Sequence, residues 1–356
     1  MNPFRSKKSE IFADSPEASR TSNGMKVLYF GSYDPGYARN RVLISGLKKN
    51  GVEVIECRDD TRGLKKFFNL YKKHKAFKNN YDAVIVGFLG HTVVPLAKII
   101  SRKPLIFDAF ISLYDSNVFD RKLVKPKSIK AIYYWFLDWF SMKLADVVLF
   151  DTQEHISYVS KEFKIDKNKL KRIFVGADSD IFSLRIRNID MPIGPFTVHF
   201  HGSFIPLQGV DCIIKAAKLL EKEEIQFNIL GGGQTHGEIK KLAFDLNSKN
   251  INFINRVEYD KLPEYINKND ICLGIFGRTA KAKRVIPNKV YECAAMKKPI
   301  ITSDTPAIRE VFSDQDMILV EPDPENLAGA IMNLKNNRAL RGTVSLNAYE
   351  KFKKSA

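Results

Sequence analysis

Short apolar segments alternate with amphipathic segments along most of the chain, and this alternation limits the possible folds more than any other feature. The first series begins with residues 25–31, a mostly apolar run that ends in glycine and predicts a strand buried in a parallel sheet. A second series of the same kind begins at residue 196. Because strands that alternate with helices form parallel sheets covered on both faces, the sequence predicts an α/β protein with two Rossmann-like domains facing a cleft.

One segment without periodicity separates the two series. Residues 183–195 carry two prolines and a glycine, which is typical of an interdomain linker. We therefore expect a first domain at residues 25–185, a linker at 186–195 and a second domain at 196–356. Residues 1–24 are polar, rich in serine and lysine and without a periodic pattern, so we expect a disordered leader there.

Length and composition indicate a globular protein. A chain of 356 residues is long enough for two α/β domains with separate cores, and a hydrophobic content of 44% is ordinary for such proteins. The four cysteines are far apart and form no metal-binding or redox pair, which favours free thiols in a reducing compartment. No run reaches the ~18 apolar residues of a membrane span, and the first residues lack the apolar region of a signal peptide. We expect a cytoplasmic protein, with attachment to the inner face of the cell membrane left open.

The net charge of +17 points to polyanionic partners. A field of this sign attracts nucleic acid, anionic lipid or phosphorylated small molecules. The sequence contains no zinc finger, RNP motif or helix-turn-helix pattern, so we do not expect a nucleic-acid-binding protein.

Residues 286–304 predict a helix, a short basic turn and a buried strand. Pro287 stands where a helix begins, and it places Lys289 and Glu292 in the first turns. Backbone N–H groups there have no partner within the helix, which suits a ligand with phosphate and hydroxyl groups. An ordinary capped helix of an α/β domain is the alternative interpretation.

The predicted strands of the second domain end in polar and glycine-rich turns. Ligands of open α/β sheets bind at these ends, and a glycine turn brings backbone N–H groups close to a diphosphate. Residues 277–289 add five cations, which predict a diphosphate cradle because charge-assisted bonds to phosphate are strong. These cations are Arg278, Lys281, Lys283, Arg284 and Lys289. A solvated basic loop is the alternative.

Several motifs in the same order resemble the GT-B glycosyltransferases of the family 4 (group 1) type. Residues 201–220 are similar to the family's first glycine segment, Leu230–Gly233 to its glycine turn, and residues 287–299 to its P-x-K-x-x-E-x-x-A-x-x-x-P motif. The resemblance implies a hexosyltransferase-type enzyme that uses a nucleotide sugar, retains the anomeric configuration and needs neither metal nor cofactor. It implies that Glu292 faces the nucleotide ribose. We predict the donor-binding residues to be Gly202, Ser203, Gln208, Gly209, Gly232, Arg256, Lys281, Lys283, Asn288, Lys289 and Glu292.

The chain departs from this family's pattern at two positions. Gln208 stands where many members have a lysine, and Arg284 stands eight residues before Glu292, where most have a second glutamate. We infer that the basic loop before the helix has taken over the neutralisation of the diphosphate, with Asn288 or Lys289 near the donor.

The predicted first domain offers its own polar strand ends. Tyr33, Arg39 and Arg41 follow the first strand and predict contact with a phosphate or an acceptor, with simple helix-start chemistry as the alternative. Asp108 and Asp115 occupy the place where family members often have a histidine near the reacting sugar. A carboxylate there can orient or deprotonate an acceptor hydroxyl, although Asp108 would equally suit a cap. His91 is a further candidate.

Two basic segments are rich in aromatic residues. Residues 121–143 contain both tryptophans of the protein among six cations, and the predicted helix at 65–78 places phenylalanine and tyrosine among lysines. Such segments suit the headgroup region of an anionic membrane, and core packing is the alternative.

The predicted function is transfer of a sugar from a nucleotide sugar to a glycan or lipid-linked acceptor, in polysaccharide or glycolipid biosynthesis. Two alternatives stay open: a UDP-sugar epimerase on the same architecture, and a non-catalytic partner of a glycosyltransferase. The sequence does not specify the donor base, the sugar or the acceptor.

Overall fold

The computed structural model describes residues 24–77, 80–183 and 194–355. Most of the predicted leader (1–23) and of the predicted linker (186–193) lies outside these ranges. The described residues form two α/β domains, each built on one parallel sheet of six strands, which confirms the predicted fold class.

The first domain follows the predicted alternation. Its elements are β1 (Lys26–Gly31), α1 (Ala38–Lys49), β2 (Glu53–Arg58), α2 (Lys65–Ala76), β3 (Ala83–Val86), α3 (Val94–Ile100), β4 (Leu105–Phe110), a π-helix (Asp115–Asp120), α4 (Ile129–Leu144), β5 (Val147–Phe150), α5 (Gln153–Phe163), a 3-10 turn (Lys167–Lys169) and β6 (Leu170–Arg172).

The first sheet has the strand order β2-β1-β3-β4-β5-β6. Successive side chains of a strand point to opposite faces, and β1 shows the consequence. Leu28 and Phe30 pack with residues of α2 to α5, whereas Val27 and Tyr29 pack with Ile44 of α1. The sheet is therefore buried on both faces, as the continuous apolar strands predicted.

The second domain has more elements. They are β7 (Phe196–Ser203), a 3-10 turn (Pro206–Gln208), α6 (Val210–Leu219), β8 (Ile225–Gly232), α7 (His236–Asp245), β9 (Ile251–Ile254), a 3-10 turn (Tyr259–Lys261), α8 (Leu262–Asn267), β10 (Ile271–Leu273), a 3-10 turn (Ala282–Arg284), α9 (Asn288–Ala295), β11 (Ile300–Ser303), α10 (Pro306–Arg309), β12 (Ile318–Val320), α11 (Pro324–Asn336) and α12 (Arg338–Ser355).

The second sheet has the order β12-β11-β10-β7-β8-β9. From β7 the chain adds β8 and β9 on one side and then crosses back to add β10 on the other side of β7. The carboxyl ends of strands beside such a topological switch point form a crevice in which ligands bind. Apart from the π-helix and the 3-10 turns, four elements were not predicted. Two of them, β6 and β12, are edge strands of three residues and are too short to show alternation. The others are α10, a single helical turn of four residues, and α5, which carries apolar residues at helical spacing.

A shared apolar cluster joins the domains. Phe88, Phe110 and Phe182 of the first domain lie in one buried cluster with Val290 and Tyr291 of α9. The segment that follows β6, assigned to the first domain, therefore packs against the second. None of the helices in the described ranges is both long and apolar enough to cross a membrane.

Three first-domain residues that we predicted for the site are part of the core. The carboxylate of Asp108 is fully buried and accepts hydrogen bonds from Arg39 Nε (3.1 Å) and Arg39 Nη2 (2.8 Å). Arg39 Nη1 donates to the carbonyl oxygen of Ile173 (2.9 Å), so this guanidinium ties α1 to β4 and to the residue after β6. Tyr33 is buried, and its hydroxyl donates to Glu56 Oε2 (2.8 Å). The three side chains therefore stabilise the first domain through buried contacts and do not line the cavity between the domains, in contrast to the predicted contact with a substrate.

We predict that Asp108→Asn lowers the free energy of unfolding by about 3–5 kcal/mol, because it leaves the buried Arg39 charge unpaired. Denaturant titration followed by circular dichroism measures the change. Asp180→Asn is the matched control, since Asp180 pairs with Lys49 at the surface and such pairs contribute about 1 kcal/mol or less. Equal midpoints for the two variants would contradict the structural role.

Candidate active site

A cavity of about 610 Å³ lies between the domains at the carboxyl ends of strands from both sheets. In the second domain its walls come from the ends of β7 and β8 and from the start of α9. In the first domain they come from the loop after β1, the turn after β3 and the segment after β4. Because ligands of parallel α/β sheets bind in this position, the cavity is the candidate active site.

Most residues that we predicted to bind a donor line this cavity. They are Gly202, Ser203, Gln208, Gly232, Arg256, Lys281, Asn288, Lys289 and Glu292. The two others do not line it. Gly209 has a φ of 62°, and a Cβ there would lie 2.2 Å from the carbonyl carbon of Phe276, so this glycine permits two loops to touch. Lys283 is exposed beside the cavity wall.

Glu292 is held in place by two side chains of the second domain. It is 3% exposed, its Oε1 accepts from the hydroxyl of Tyr259 (3.0 Å), and its Oε2 lies 2.9 Å from Nε2 of His201. Nδ1 of His201 lies in turn 3.0 Å from Nε2 of His199. The two histidines alternate with core residues on β7 and point to the same side of the strand. The carboxylate at the start of α9 is thus fixed from the neighbouring strand.

Burial determines the protonation of this group. It raises the pKa of Glu292 to about 7, although the hydrogen bond from Tyr259 and the charge of Lys289 act in the opposite direction. Burial and the same lysine hold the pKa of His201 well below its ordinary value, and the pKa of His199 is likewise low. Both imidazoles are therefore neutral. When Glu292 is ionised, His201 donates to it through Nε2–H and accepts from His199 through Nδ1.

Lys289 supplies a cation where the glycine segment lacks one. It is 4% exposed, and its Nζ donates to Oε1 of Gln208 and lies 3.6 Å from the ring centroid of Phe200. A Cβ on Gly202 would lie 2.8 Å from this Nζ, so the ammonium group reaches the end of β7. Burial holds the pKa of Lys289 well below its ordinary value. A bound anion would stabilise the charged form of Lys289, because it would take the place of the water that burial removes from the ammonium group.

Further cations approach the cavity from both domains. Lys281 is buried, and its Nζ donates to Oγ of Ser116 (2.5 Å), while Arg256 is exposed at the wall. Arg121 also lines the cavity, and its Nε is buried without a partner among the described residues. From the sequence we place Arg121 only in a basic aromatic segment. It follows the π-helix Asp115–Asp120, eleven residues after the end of β4, so its distance from a strand end gave no signal for the site.

The remaining first-domain predictions fall outside the cavity lining. Arg41 lies 3.4 Å from Asp178 and stacks over the ring of Tyr259. His91 is buried, with Nε2 3.3 Å from Asp138. The carboxylates that do line the first-domain wall are Asp34, which is exposed, and Asp151, which is buried against His155. Neither was predicted. No cluster of metal-binding side chains occurs in the part of the chain that the structure describes.

Asp115 forms an ion pair across the domain boundary. Both of its carboxylate oxygens accept from Nη2 of Arg284 at 2.7 Å. Two more contacts follow the same boundary: Thr279 donates to Asp120 (3.0 Å), and Glu310 accepts from Arg172 (2.9 Å) and from the backbone at the start of α5. Asp115 and Arg284, predicted as catalytic and as part of the phosphate cradle, therefore hold the domains against each other.

Comparisons with known proteins show what the chain is similar to. Residues 195–337 match the model of the family Glycosyl transferases group 1. Over 346 residues, 92% of this chain and 84% of the other, the chain is 24% identical to the Uncharacterized glycosyltransferase MJ1178 of Methanocaldococcus jannaschii. It is 30% identical over 120 residues, 34% of this chain, to the Putative colanic acid biosynthesis glycosyl transferase WcaI of Escherichia coli, of which the match covers 29%.

Two solved structures have the same fold. Sucrose-phosphate synthase (tll1590) from Thermosynechococcus elongatus superposes with a TM-score of 0.72 at 15% identity, covering 93% of this chain and 94% of that one. Anabaena Alr3699/HepE, in complex with UDP and glucose, gives 0.66 at 15% identity over 93% and 95%. The narrower assignment to family 4 stays a prediction. The protein has the GT-B fold, and its second domain is similar to the family Glycosyl transferases group 1 over residues 195–337.

Proposed function

We propose that the protein transfers a sugar from a nucleotide sugar to a glycan or lipid-linked acceptor, with retention of the anomeric configuration, in polysaccharide or glycolipid biosynthesis. The observation that carries the proposal is that Glu292 and Lys289, both on α9, line the wall of the same cavity. The UDP and UDP-glucose complexes of Alr3699/HepE support a uridine nucleotide as the first donor to test. The name of WcaI supports a polysaccharide pathway.

The cations of the cavity suit the leaving group of such a transfer. The bond between the anomeric carbon and the diphosphate oxygen breaks, a bond to the acceptor oxygen forms, and the acceptor proton leaves with the released diphosphate or to solvent. Negative charge therefore accumulates on the diphosphate. Lys289, Arg121 and Arg256 approach the cavity from both domains and would stabilise this charge without reorganisation.

Glu292 would bind the nucleotide by its ribose. Its carboxylate is fixed by His201 and Tyr259, so little conformational freedom is lost when it accepts a hydrogen bond from a hydroxyl group. On the acceptor side we assign the first contact to Asp34, which is exposed in the cavity, in place of the buried Asp108 and Asp115.

One observation supports a second candidate. The contact of His201 with Glu292 is a cluster of titratable groups beside the cavity, which is what a nucleotide-sugar epimerase would use. A panel of UDP-, GDP- and ADP-sugars, followed by NMR without and with acceptor glycans, separates the two. An epimer formed without acceptor would favour the epimerase, and transfer or slow donor hydrolysis would favour the glycosyltransferase. The non-catalytic alternative loses support because Lys289 supplies the cation that Gln208 lacks.

We predict that Lys289→Gln weakens binding of UDP roughly 10- to 150-fold, since a charge-assisted hydrogen bond is worth about 1.5–3 kcal/mol. Isothermal titration calorimetry gives the affinity, and a thermal shift with each nucleotide gives the preferred base. Lys283→Gln removes the same charge from the same basic region but does not line the cavity, so it should bind UDP normally. Equal losses in both variants would show a general field effect and contradict the assigned contact.

We also predict that affinity for a UDP-sugar falls as the pH is lowered through about 7, where Glu292 takes up a proton. A UDP-sugar is the right probe, because its diphosphate is esterified on both sides and does not titrate in this range. Glu292→Gln should abolish this pH dependence. Tyr259→Phe should move the inflection to higher pH, since the hydroxyl of Tyr259 lowers the pKa of Glu292. An unchanged profile in Glu292→Gln would exclude this carboxylate as the titrating group.

A further inference from the structure

Three neighbouring helices of the first domain expose apolar side chains to solvent. Helix α3 packs between α2 and α4 on one side of the first sheet, so the three form a continuous surface. We call this surface the helical face. Its exposed apolar residues are Leu64, Phe68 and Tyr71 of α2 or its cap, Ile99 of α3, and Ile129, Ile132, Tyr133 and Phe136 of α4. The exposed fraction reaches 68% at Phe68 and 88% at Ile129, and exposure of this extent on adjacent helices marks an interaction surface.

The charge of the helical face has one sign. Its three helices carry eight lysines and a single carboxylate, Asp138, which is buried and accepts from Ser112 Oγ at 2.7 Å. The lysines are Lys65, Lys66, Lys72, Lys73, Lys75, Lys98, Lys130 and Lys143. Lys122, Lys125 and Lys127 add to them just before α4. Apolar and cationic side chains are thus mixed, and no exposed carboxylate interrupts them on these helices.

The tryptophans contribute less to this surface than the sequence predicts. Trp135 and Trp139 are partly buried against the core of the first domain, and Nε1 of Trp135 donates to Glu162 at 3.1 Å. Phe68, Tyr71, Tyr133 and Phe136 are more exposed. The pattern is that of side chains available to enter a headgroup region, with lysines beside them.

A small cavity opens on the same surface. It measures about 300 Å³, and its walls are Tyr114, Ala131, Ile132 and Trp135, with Lys127 at its edge. Lys127 is exposed and has no ion-pair partner among the residues that the structure describes. Apolar walls beside one ammonium group fit the chain and the phosphate of a lipid.

The helical face adjoins the active site. The segment after β4 lies between them: Asn117 and Arg121 line the large cavity, while Val118 and Val124 pack on Ala131 of α4. A surface bound through the helical face would therefore lie beside the acceptor side of the cleft.

We propose that the helical face binds the surface of an anionic lipid bilayer. The inference deepens the proposed function, because a lipid-linked acceptor would then be presented next to the first-domain wall of the active site. Each lysine near an anionic surface adds about 1 kcal/mol to the binding free energy, and apolar side chains that enter the headgroup region add more. The absence of exposed carboxylates from the three helices complements a surface of uniform negative charge, and the exposed apolar side chains beside the lysines suit a lipid headgroup region.

Vesicle flotation of the full chain tests the proposal. At low salt the protein should float with vesicles of phosphatidylcholine and phosphatidylglycerol but not with phosphatidylcholine alone. The triple variant Lys65→Glu, Lys72→Glu, Lys130→Glu should lower the affinity for anionic vesicles by a factor of roughly 100 or more. The double variant Phe68→Ser with Ile132→Ser should lower it roughly tenfold. Failure of the unchanged protein to float with anionic vesicles would overturn the proposal.

Two controls separate the face from the overall charge and fold. Lys222→Glu, Lys351→Glu, Lys354→Glu changes the net charge equally on exposed lysines outside the face, and Phe244→Ser removes an exposed apolar residue of the second domain. Both should bind as the unchanged protein does, and equal loss would contradict the proposal. Light scattering tests for self-association, and a dimer lost in Phe68→Ser with Ile132→Ser would assign the face to a second copy instead.

Donor binding is measured on the same preparations. If UDP-sugar affinity is normal while vesicle binding is absent, the membrane inference fails and the proposed function stands. If the protein binds vesicles but no nucleotide sugar, the proposed function fails and the membrane inference stands.

Discussion

The buried ion pair of Arg284 with Asp115 connects the two domains beside the cavity, in addition to the apolar cluster that they share. Both carboxylate oxygens of Asp115 lie 2.7 Å from one nitrogen of Arg284, and the carboxylate is buried at the domain boundary. The pair fixes the 3-10 turn Ala282–Arg284 of the second domain against the π-helix of the first. The same two segments bring Lys281 and Arg121 to the cavity. The positions of the cations that a ligand between the domains would meet therefore depend on the Arg284–Asp115 ion pair, which does not itself line the cavity.

The cavity also shows how a missing charge is replaced. In the first glycine segment of the second domain, Gln208 stands where the resemblance implies a lysine, and the ammonium group of Lys289 lies against its side-chain oxygen. The cation thus comes from α9 and not from the turn after β7. Arg284, at the position of a second glutamate, has become part of the domain boundary. Both departures fit the proposed donor site, in which the cavity wall carries positive charge and the charges of the domain boundary are paired.

The sequence predicts the fold well. Of the candidate site it predicts the wall that the second domain forms, but not the wall that the first domain forms. Continuous apolar strands that end in polar turns predict two parallel sheets, because burial on both faces leaves no other arrangement, and the glycine turns of the second domain place Gly202, Gly232 and Glu292 on one wall. The first domain is different. Asp108 lies near the carboxyl end of β4 and Arg39 in the first turn of α1, positions where ligand-binding residues are common, yet the two pair with each other 69 residues apart. Spacing along the chain cannot distinguish a charge that faces a cavity from one that has found a buried partner.

The same limit applies to the basic aromatic segments, and it explains which part of that prediction the structure changes. Helical spacing places Ile132, Tyr133 and Phe136 near Trp135 and Trp139 in sequence, but only packing against the sheet separates those that face the core from those that face solvent. Composition is more informative here than periodicity. A helix such as α2, with five lysines and no acidic residue, keeps its charge of one sign whichever side it presents. Helices α2, α3 and α4 lie beside the cavity wall that Asn117 and Arg121 form, so an acceptor held at a membrane by the proposed helical face would not have to cross the protein to reach a donor in the cavity.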